Sequence, residues 1–330
     1  MVSLAIIGVG GIGRYYLDRV IPKLRGVEVS CLCDVRGEVV KRLAKELGCE
    51  YTTDYSKAIT SSEVDAILLT TPPFVRLDPI KLAVEYEKHV YCEKPLSNDF
   101  TTAKRVFDLV EKSNIKFMVA FVLRYWPIYI IIKEKLINGE LGKPIFLHLT
   151  DMSYWLHHVE KVPWRGVQRL NSGMAEQLIH EIDMARYLCG DVSEVFAYGV
   201  RGCTAMIDYE DHITCLLKFK SGAIGNLVGS FLYRIGDRSG MLVCDEASVY
   251  FNARKQYVKI VYSNREVFEK EVGWKENPFL LELRDFIKWI EKDIPPRATI
   301  EDSYKAQEIA EAALLSITRD QPIKLPLTWS

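Results

Sequence analysis

The sequence lacks both an excess of charge of one sign and any long apolar run. Its 330 residues carry 43 basic and 44 acidic side chains, a formal net charge of −1. Nucleic-acid-binding chains draw affinity from a cationic excess, so this balance argues against one. No run of about 20 apolar residues appears, which argues against a membrane partner. The first residues lead directly into a strand pattern without the segments of a signal peptide, so we expect a cytoplasmic protein.

The sequence also lacks a metal-binding or disulfide spacing of cysteines. The eight cysteines are scattered along the chain. Cys31 and Cys33 lie in one predicted strand, but no second close pair and no nearby histidine completes a zinc pattern. We therefore expect reduced, buried thiols and no metal.

The first third of the chain alternates apolar runs with helical patterns. Strands are predicted at 3–8, 27–34, 66–70, 89–92 and 117–120, and helices at 11–20, 37–47, 80–87 and 101–112. Strands that alternate with helices form parallel, doubly wound sheets with right-handed crossovers. This region is therefore predicted to be a Rossmann domain.

The remainder of the chain has a different pattern, with strands joined by short connections. Strands are predicted at 144–151, 194–200, 212–219, 223–232, 241–249, 257–262 and 266–270, and helices at 129–138, 174–188, 278–290 and 302–318. Short connections favour a large, mostly antiparallel open sheet. We expect an α/β chain of two domains, 1–122 and 123–330, with the helix at 302–318 as a candidate to pack back on the first domain.

A G-x-G-x-x-G motif occupies residues 8–13, after an apolar strand and at the start of a helix. Gly8 permits the tight turn, Gly10 lets the backbone approach a pyrophosphate, and Gly13 lets helix and strand pack closely. The helix N-terminus adds free N–H groups and a partial positive charge. The motif in this context predicts a dinucleotide site, although a methyltransferase would share the glycines.

Asp34 ends the second strand, 34 − 13 = 21 residues after the last glycine. A carboxylate there accepts hydrogen bonds from the adenosine ribose and repels a 2′-phosphate, so NAD is favoured over NADP. Arg36 weakens the predicted preference for NAD, because an arginine beside the ribose is able to accommodate the 2′-phosphate of NADP.

Several short motifs together resemble one family of oxidoreductases. They are T-T-P-P at 70–73, E-K-P at 93–95, L-R-Y-W-P at 123–127, N-G-E-L-G-K-P at 138–144, P-W-R at 163–165 and H-E-I-D at 180–183. This combination resembles the family of glucose–fructose oxidoreductase, inositol dehydrogenase and the rhizopine-catabolism oxidoreductases (Gfo/Idh/MocA) over nearly the whole chain. The resemblance implies a dinucleotide domain, a second α/β domain, and a nicotinamide at their junction.

The resemblance also implies roles for individual residues. The expected cofactor contacts are Gly8, Gly10, Gly11, Ile12, Gly13, Asp34, Arg36, Thr71, Pro72, Glu93, Lys94, Arg124 and Trp164. Lys94 is expected to be the active-site lysine and His180 the residue that exchanges a proton with the substrate hydroxyl. An imidazole with a pKa of about 6.5 suits that proton step. A lysine at the carboxyl end of a parallel strand is able to stabilise a developing alkoxide.

Glu176 and Asp183 share a predicted helix face with His180, four residues before it and three after. Glu176 is expected to orient the imidazole as a third catalytic residue, where many sugar dehydrogenases of the family carry aspartate. Gln177 beside it is a candidate contact for the nicotinamide amide or the substrate. The expected substrate contacts are Lys94, His180, Asp183, Trp155, Arg165 and Tyr233.

Trp155, Trp164 and Arg169 each have two interpretations. Aromatic faces suit the C–H faces of a sugar, and arginine suits hydroxyl or carboxylate groups, but the tryptophans are equally core candidates and Arg169 a surface charge. His157 and His158 are further candidates to line a pocket. Arg76, where many relatives have histidine, is expected to be a solvated residue at a helix start.

These features predict an NAD(P)-dependent dehydrogenase that transfers a hydride between a secondary alcohol of a sugar, polyol or related small molecule and nicotinamide. A redox-assisted glycosidase and a non-catalytic dinucleotide sensor are the alternatives. Lys94 and His180 together argue against the sensor, which needs neither. Strands 194–232 carry apolar residues on both faces. Because large exposed apolar faces are rare on monomers, a homodimer or homotetramer joined through the second sheet is expected.

Overall fold

The computed structural model describes residues 1–202 and 204–328, apart from the side chains of 174–176. The chain forms two compact units. The first comprises residues 1–122 and 276–304, and the second comprises residues 123–275 and those from 305 onward. The predicted α/β class, a parallel sheet and a mostly antiparallel one, is confirmed.

The first unit is built on a six-stranded parallel sheet in the order β3-β2-β1-β4-β5-β6. Its strands are β1 (Val2–Ile7), β2 (Val27–Cys33), β3 (Glu50–Thr52), β4 (Ala66–Leu69), β5 (His89–Cys92) and β6 (Phe117–Val119). Its first helices are α1 (Gly11–Tyr15), α2 (Gly37–Leu47), α3 (Tyr55–Ile59), α4 (Leu77–Glu85) and α5 (Phe100–Glu111). The order reverses between β1 and β4, and ligands of such sheets bind outside the carboxyl ends of the strands at this point.

The apolar runs that predicted the sheet are its buried strands. Every residue of β1 and β4 is buried, as expected for parallel strands covered on both faces. The elements β3 and α3 are not predicted from the sequence. Both are short, and two of the three residues of β3 are exposed at the sheet edge, so neither has a distinct hydrophobic period.

The second unit contains most of the remaining elements. They are α6 (Pro127–Ile137), β7 (Pro144–Tyr154), α7 (Leu156–Lys161), α8 (Gln168–Asn171), α9 (Met174–Cys189), β8 (Val192–Val200), β9 (His212–Phe219), β10 (Ile224–Ser230), β11 (Leu232–Asp237), β12 (Ser239–Cys244), β13 (Ala247–Asn252), β14 (Tyr257–Tyr262), β15 (Val267–Glu271) and β16 (Ile323–Lys324). The ten strands form one sheet in the order β15-β14-β13-β12-β7-β10-β9-β8-β16, with β11 also paired to β7. Strands β7 and β10 run parallel, and their neighbours run antiparallel.

Two sequence predictions differ from this sheet. The single strand predicted at 241–249 is wrong, because Asp245 and Glu246 form a polar reversal between β12 and β13. The segment 152–172, for which no helix or strand is predicted above, contains the short helices α7 and α8.

The last two long helices differ in the unit to which they belong. Helix α10 (Pro278–Lys292) packs against β1 and β5 of the first unit. Helix α11 (Ile300–Arg319) begins in that unit, and residues from Lys305 onward belong to the second. No helix among residues 1–202 and 204–328 is long and apolar enough to cross a membrane.

The two faces of the large sheet are different. Helix α9 packs on β7 and β10, where inward residues such as Leu149 and Leu227 are fully buried. On the opposite face the registers align Leu216 with Asn226, Asn226 with His148, and His148 with Met241. Apolar side chains on this outer face are exposed by 36–58%: Tyr198, Leu216, Ile224, Met241, Val243 and Tyr250.

Candidate functional site

The glycine motif forms a tight loop between β1 and α1. Gly8 has φ +98°, a conformation that favours glycine, and a β-carbon there would lie 3.1 Å from the backbone of Thr70. A β-carbon on Gly13 would overlap the carbonyl oxygen of Gly8. Gly11, in contrast, has nothing within 4 Å of that position, and only Arg36 approaches Gly10. The loop is thus closely packed against backbone at Gly8 and Gly13, approached only by the Arg36 side chain at Gly10, and open at Gly11, which fits a pyrophosphate that binds backbone N–H groups.

Asp34 is buried at the end of β2 and fixed on several sides. Its Oδ2 accepts a hydrogen bond from the backbone N–H of Val9 at 2.9 Å, which ties it to the glycine loop. Arg36 donates to both carboxylate oxygens at 2.8 Å. Burial acts to raise the pKa of Asp34, but the hydrogen bonds from Arg36 and Val9 outweigh it and hold the pKa below its usual value. The carboxylate is therefore ionised at neutral pH beside the loop that would hold the dinucleotide.

Lys94 follows β5 by two residues and is half-buried. The glycine loop, Thr71 and Lys94 lie at the carboxyl ends of adjacent strands β1, β4 and β5. A β-carbon on Gly8 would lie 3.2 Å from the Thr71 nitrogen, so the β1 and β4 ends are in contact. At the carboxyl ends of its strands, the first unit thus places Gly8–Gly13, Thr71, Pro72, Glu93 and Lys94.

The prediction that Arg76 is solvated is wrong. Arg76 is only 3% exposed, and its guanidinium donates to backbone carbonyls in two loops. Nε and Nη2 donate to the Thr71 carbonyl at 3.0 and 2.7 Å, and Nη1 donates to the carbonyls of Glu93 and Pro95. Nothing in the sequence indicates this burial, because an arginine at the start of a helix is usually exposed.

The Glu93 carboxylate belongs to a buried hydrogen-bond network behind the lysine. Oε1 accepts a hydrogen bond from the Tyr16 hydroxyl at 3.2 Å, and the Tyr16 and Tyr91 hydroxyls lie 2.8 Å apart. Oε2 accepts from the Lys94 backbone N–H at 3.2 Å. Burial raises the pKa of Glu93, although the positive charges of Arg76 and Lys94 act against that rise.

In the second unit, α9 carries His180, and two of its acidic residues, Glu181 and Asp183, are engaged in buried ion pairs. His180 is half-buried, whereas Asp183 is fully buried. The Arg124 guanidinium donates to both carboxylate oxygens of Asp183, from Nε to Oδ2 at 2.9 Å and from Nη2 to Oδ1 at 2.5 Å. The structure therefore places the expected substrate contact Asp183 and the expected cofactor contact Arg124 together, where they bind each other.

Glu181 is held by a residue from the connection between β11 and β12. Arg238 lies 3.1 Å from its Oε1 and also pairs with Asp151. Ser153 donates to Asp151 at 3.0 Å, and Arg254 donates to Ser153 at 2.8 Å. None of these residues was singled out in the sequence. Asp151 and Ser153 lie on β7, whereas Arg238 and Arg254 lie in connections between strands, and only the fold brings them together.

Gln177 lies one turn before His180 and is 6% exposed. Neither its amide nitrogen nor its amide oxygen has a hydrogen-bond partner among the described residues. A buried amide without partners costs free energy, so it is suited to binding a polar ligand. The side chain of Glu176 lies outside the described residues, and its role stays a prediction.

The segment 152–172 presents the aromatic residues predicted from the sequence. The Trp155 and His158 rings lie 4.3 Å apart, and the Arg165 guanidinium lies 4.9 Å above Trp164 and 5.7 Å from Trp155. Trp155, Trp164, Arg165 and Tyr233 are half-buried, whereas His157, His158 and Arg169 are exposed. Trp155, Trp164 and Arg165 are thus grouped within one unit.

A small core that the sequence did not reveal supports this segment. Leu156, Val159, Ile207, Tyr209 and Phe231 pack together beneath it. The Tyr209 hydroxyl donates to the Arg165 carbonyl at 2.8 Å, and the fully buried Asn171 also donates to that carbonyl. Among the residues that the structure describes, no group of three His, Cys, Asp or Glu side chains forms a candidate metal site.

Comparison with known proteins gives matches along the whole chain. Residues 2–121 match the family model described as "Oxidoreductase family, NAD-binding Rossmann fold" (GFO_IDH_MocA), and residues 133–325 match the "Oxidoreductase family, C-terminal alpha/beta domain". The scyllo-inositol 2-dehydrogenase (NAD(+)) of Bacillus subtilis (strain 168) is 26% identical over 98% of this chain and 96% of its own length. The myo-inositol 2-dehydrogenase of Thermotoga maritima is 26% identical over 98% of both chains.

Solved structures show the same fold. Levoglucosan dehydrogenase in complex with NADH and levoglucosan superimposes with a TM-score of 0.90 over 99% of this chain and 100% of that chain, at 21% identity.

Proposed function

Because the chain belongs to the Gfo/Idh/MocA oxidoreductase family and is an NAD-dependent dehydrogenase, we propose that it oxidises a secondary alcohol of a sugar, a polyol or a related small molecule. The observation that carries the proposal is the position of Lys94. It is half-buried just after β5, at the same carboxyl ends of the strands as the glycine loop. Ligands of doubly wound sheets bind at the carboxyl ends of the strands, where the proposal places the Lys94 ammonium against a substrate oxygen.

Oxidation of a secondary alcohol removes a hydride from carbon and a proton from oxygen. When bound, NAD⁺ supplies the hydride acceptor, and the backbone at Gly10 and Gly11 would hold its pyrophosphate. In the proposal, an imidazole nitrogen of His180 takes the hydroxyl proton, and the Lys94 ammonium stabilises the developing alkoxide. Glu176 orients His180.

Cyclic polyols are the substrate class with the best support. Two full-length relatives are named as inositol dehydrogenases. The ring of Trp155, flanked by Arg165, offers an apolar face and a fork of donors, which suits a ring with C–H faces and several hydroxyls. The unpartnered amide of Gln177 is a further group for such hydroxyls.

A substrate panel tests this proposal. Scyllo-inositol, myo-inositol, levoglucosan, aldoses and uronates are each offered with NAD and, in parallel, with NADP, and absorbance of the reduced cofactor is followed. We expect one cyclic polyol or sugar to yield NADH in equal amount to its ketone. A redox-assisted glycosidase would instead release product without accumulating NADH. Binding of dinucleotide without turnover of any candidate would favour a sensor.

The outer face of the large sheet supports a proposal about assembly. Its central row, which aligns Leu216, Asn226, His148, Met241 and Tyr250, carries no acidic or lysine side chain, and its apolar members are exposed. Two copies of such an apolar, mostly uncharged face are complementary to each other, so the proposed partner is a second copy of this chain, in a dimer or tetramer.

Light scattering at micromolar concentration tests the assembly. We expect a dimer or tetramer for the unmodified protein and a smaller species for Leu216→Asp. The matched control is Ile294→Asp, which changes an exposed apolar residue of the first unit. A monomeric mass for the unmodified protein would refute the assembly while leaving the catalytic proposal intact.

A further inference from the structure

We propose that Arg76 is a positioning residue, which fixes the backbone on both sides of Lys94. The inference rests on the proposed function, because it takes Lys94 as the group that contacts the substrate. Arg76 precedes α4 and donates to the carbonyls of Glu93 and Pro95, the residues directly before and after Lys94. The same guanidinium holds the Thr71 carbonyl, at the end of β4.

The chemistry of these contacts requires a guanidinium. Its donors lie in a fixed plane, and its charge is retained at any physiological pH. One such group is able to bind acceptors from two chain segments at once, whereas an ammonium is a point charge on a flexible stem. Since Arg76 is 3% exposed, its removal would leave buried carbonyls without their donor.

Lys94 lies outside any helix or strand, so contacts from other segments must determine its position. β5 ends at Cys92 and α5 begins at Phe100, so the lysine lies in a connection. A displacement of about 1 Å at a catalytic group costs roughly 10²-fold in rate. We therefore expect loss of Arg76 to lower kcat about 10–100-fold, with less than about threefold change in KM for the polyol, because the lysine is retained but misplaced.

Kinetics of three variants test the proposal, with the polyol that gives NADH in the panel as substrate. Arg76→Met removes the donors at similar volume, Arg76→Lys keeps the charge, and Arg76→Ala opens a space for added guanidinium ion. Lys81→Met on the exposed side of α4 is the control. We expect all three Arg76 variants to lose kcat, and millimolar guanidinium to restore Arg76→Ala several-fold relative to equal sodium chloride. Lys94→Ala should gain nothing from guanidinium.

A folded Arg76→Met enzyme with kcat within twofold of the unmodified protein would overturn the proposal. So would equal effects of guanidinium and sodium on Arg76→Ala. If none of the three variants folds, Arg76 serves stability and the positioning role is wrong.

Hydrogen exchange provides a readout that does not depend on turnover. In Arg76→Met and Arg76→Lys we expect at least tenfold faster exchange of amides at 93–98, with β1 unchanged. Unchanged exchange at 93–98 would contradict the proposal even if kcat falls. Faster exchange in a protein that oxidises none of the candidate substrates would instead leave the positioning role standing and refute the proposed function.

Discussion

The segment that carries Lys94 and the helix that carries His180 are each held by a buried arginine, but the partners differ. Arg76 donates to neutral backbone carbonyls, whereas Arg124 binds the carboxylate of Asp183, which is fully buried. Removing one member of a buried ion pair leaves a charge without compensation. We therefore expect the contacts of Arg76 to determine the position of the lysine segment and the Arg124–Asp183 pair to stabilise the histidine helix. Loss of the first should be visible in kcat, and loss of the second in the free energy of unfolding.

The largest expected effects are those of the two proposed catalytic side chains. His180→Ala and Lys94→Ala should each lower kcat by about 10²–10⁴-fold, as typical for loss of a proton-transfer or charge-stabilising group. Neither should change the midpoint of thermal unfolding appreciably, and NAD affinity should be largely retained. Glu176→Gln should cost less, because it leaves the base in place. Steady-state kinetics and calorimetry on the same preparations check this; a kcat close to normal in either alanine variant would remove that residue from the proposal.

Breaking the ion pair of α9 should have its main effect on stability. Asp183→Asn leaves the Arg124 charge buried, so we expect a loss of about 3–5 kcal/mol in the free energy of unfolding. The control is Asp18→Asn, which breaks an exposed pair with Arg14 and should cost less than about 1 kcal/mol. Urea denaturation measures both. Equal losses in the two variants would show that the burial of the pair carries no special energetic role.

Asp34 should determine the choice of cofactor. The unmodified protein should bind NAD more tightly than NADP. In Asp34→Ser the ratio of the two dissociation constants should fall by about tenfold, because a charged hydrogen bond contributes roughly 1.5–3 kcal/mol. Titration calorimetry with both dinucleotides measures this. Equal affinities in the unmodified protein would mean that Arg36 compensates for the carboxylate.

The smallest effect concerns acid stability. Burial acts to raise the pKa of Asp191, but Lys305 and Arg186 outweigh it and lower the pKa from 3.8 to about 2. A lowered pKa in the folded state gives stability that is present above 3.8 and is lost as the pH falls toward 2. Because the carboxyl is partly exposed, we expect Asp191→Asn to cost about 1–2 kcal/mol at neutral pH. The free energy of unfolding should change less between pH 7 and pH 3 in Asp191→Asn than in the unmodified protein. An equal change in both proteins would show that other groups cause the loss of stability in acid.

The fold was largely predictable because each sheet has its own hydrophobic pattern. Continuous apolar runs such as β1 indicate parallel strands buried on both faces, and the short connections between the later strands indicate a mostly antiparallel sheet. The three-residue β3 is too short to show a period, and the reversal at Asp245 lies within what looked like one run.

The candidate site was predictable where a residue's chemistry depends on its neighbours in sequence. The glycine loop, Asp34 and the E-K-P segment are of this kind. Arg76 and Arg238 are not, because their partners lie 5–19 and 57–87 residues away in the chain and only the folded backbone brings them together. The burial of Asp183 was missed for the same reason, since its partner Arg124 is 59 residues distant.

The pH dependence of kcat tests the central claim most directly, with the polyol identified in the panel and saturating NAD. The account predicts a limb in the neutral range for the unmodified enzyme, because an ordinary imidazole titrates at a pKa of about 6.5, and it predicts that this limb is absent from the residual activity of His180→Ala. A His180→Ala enzyme that keeps near-normal kcat and the same limb would contradict the account and place the base elsewhere, with His157 and His158 as the next candidates, because Asp183 is fully buried and bound by Arg124.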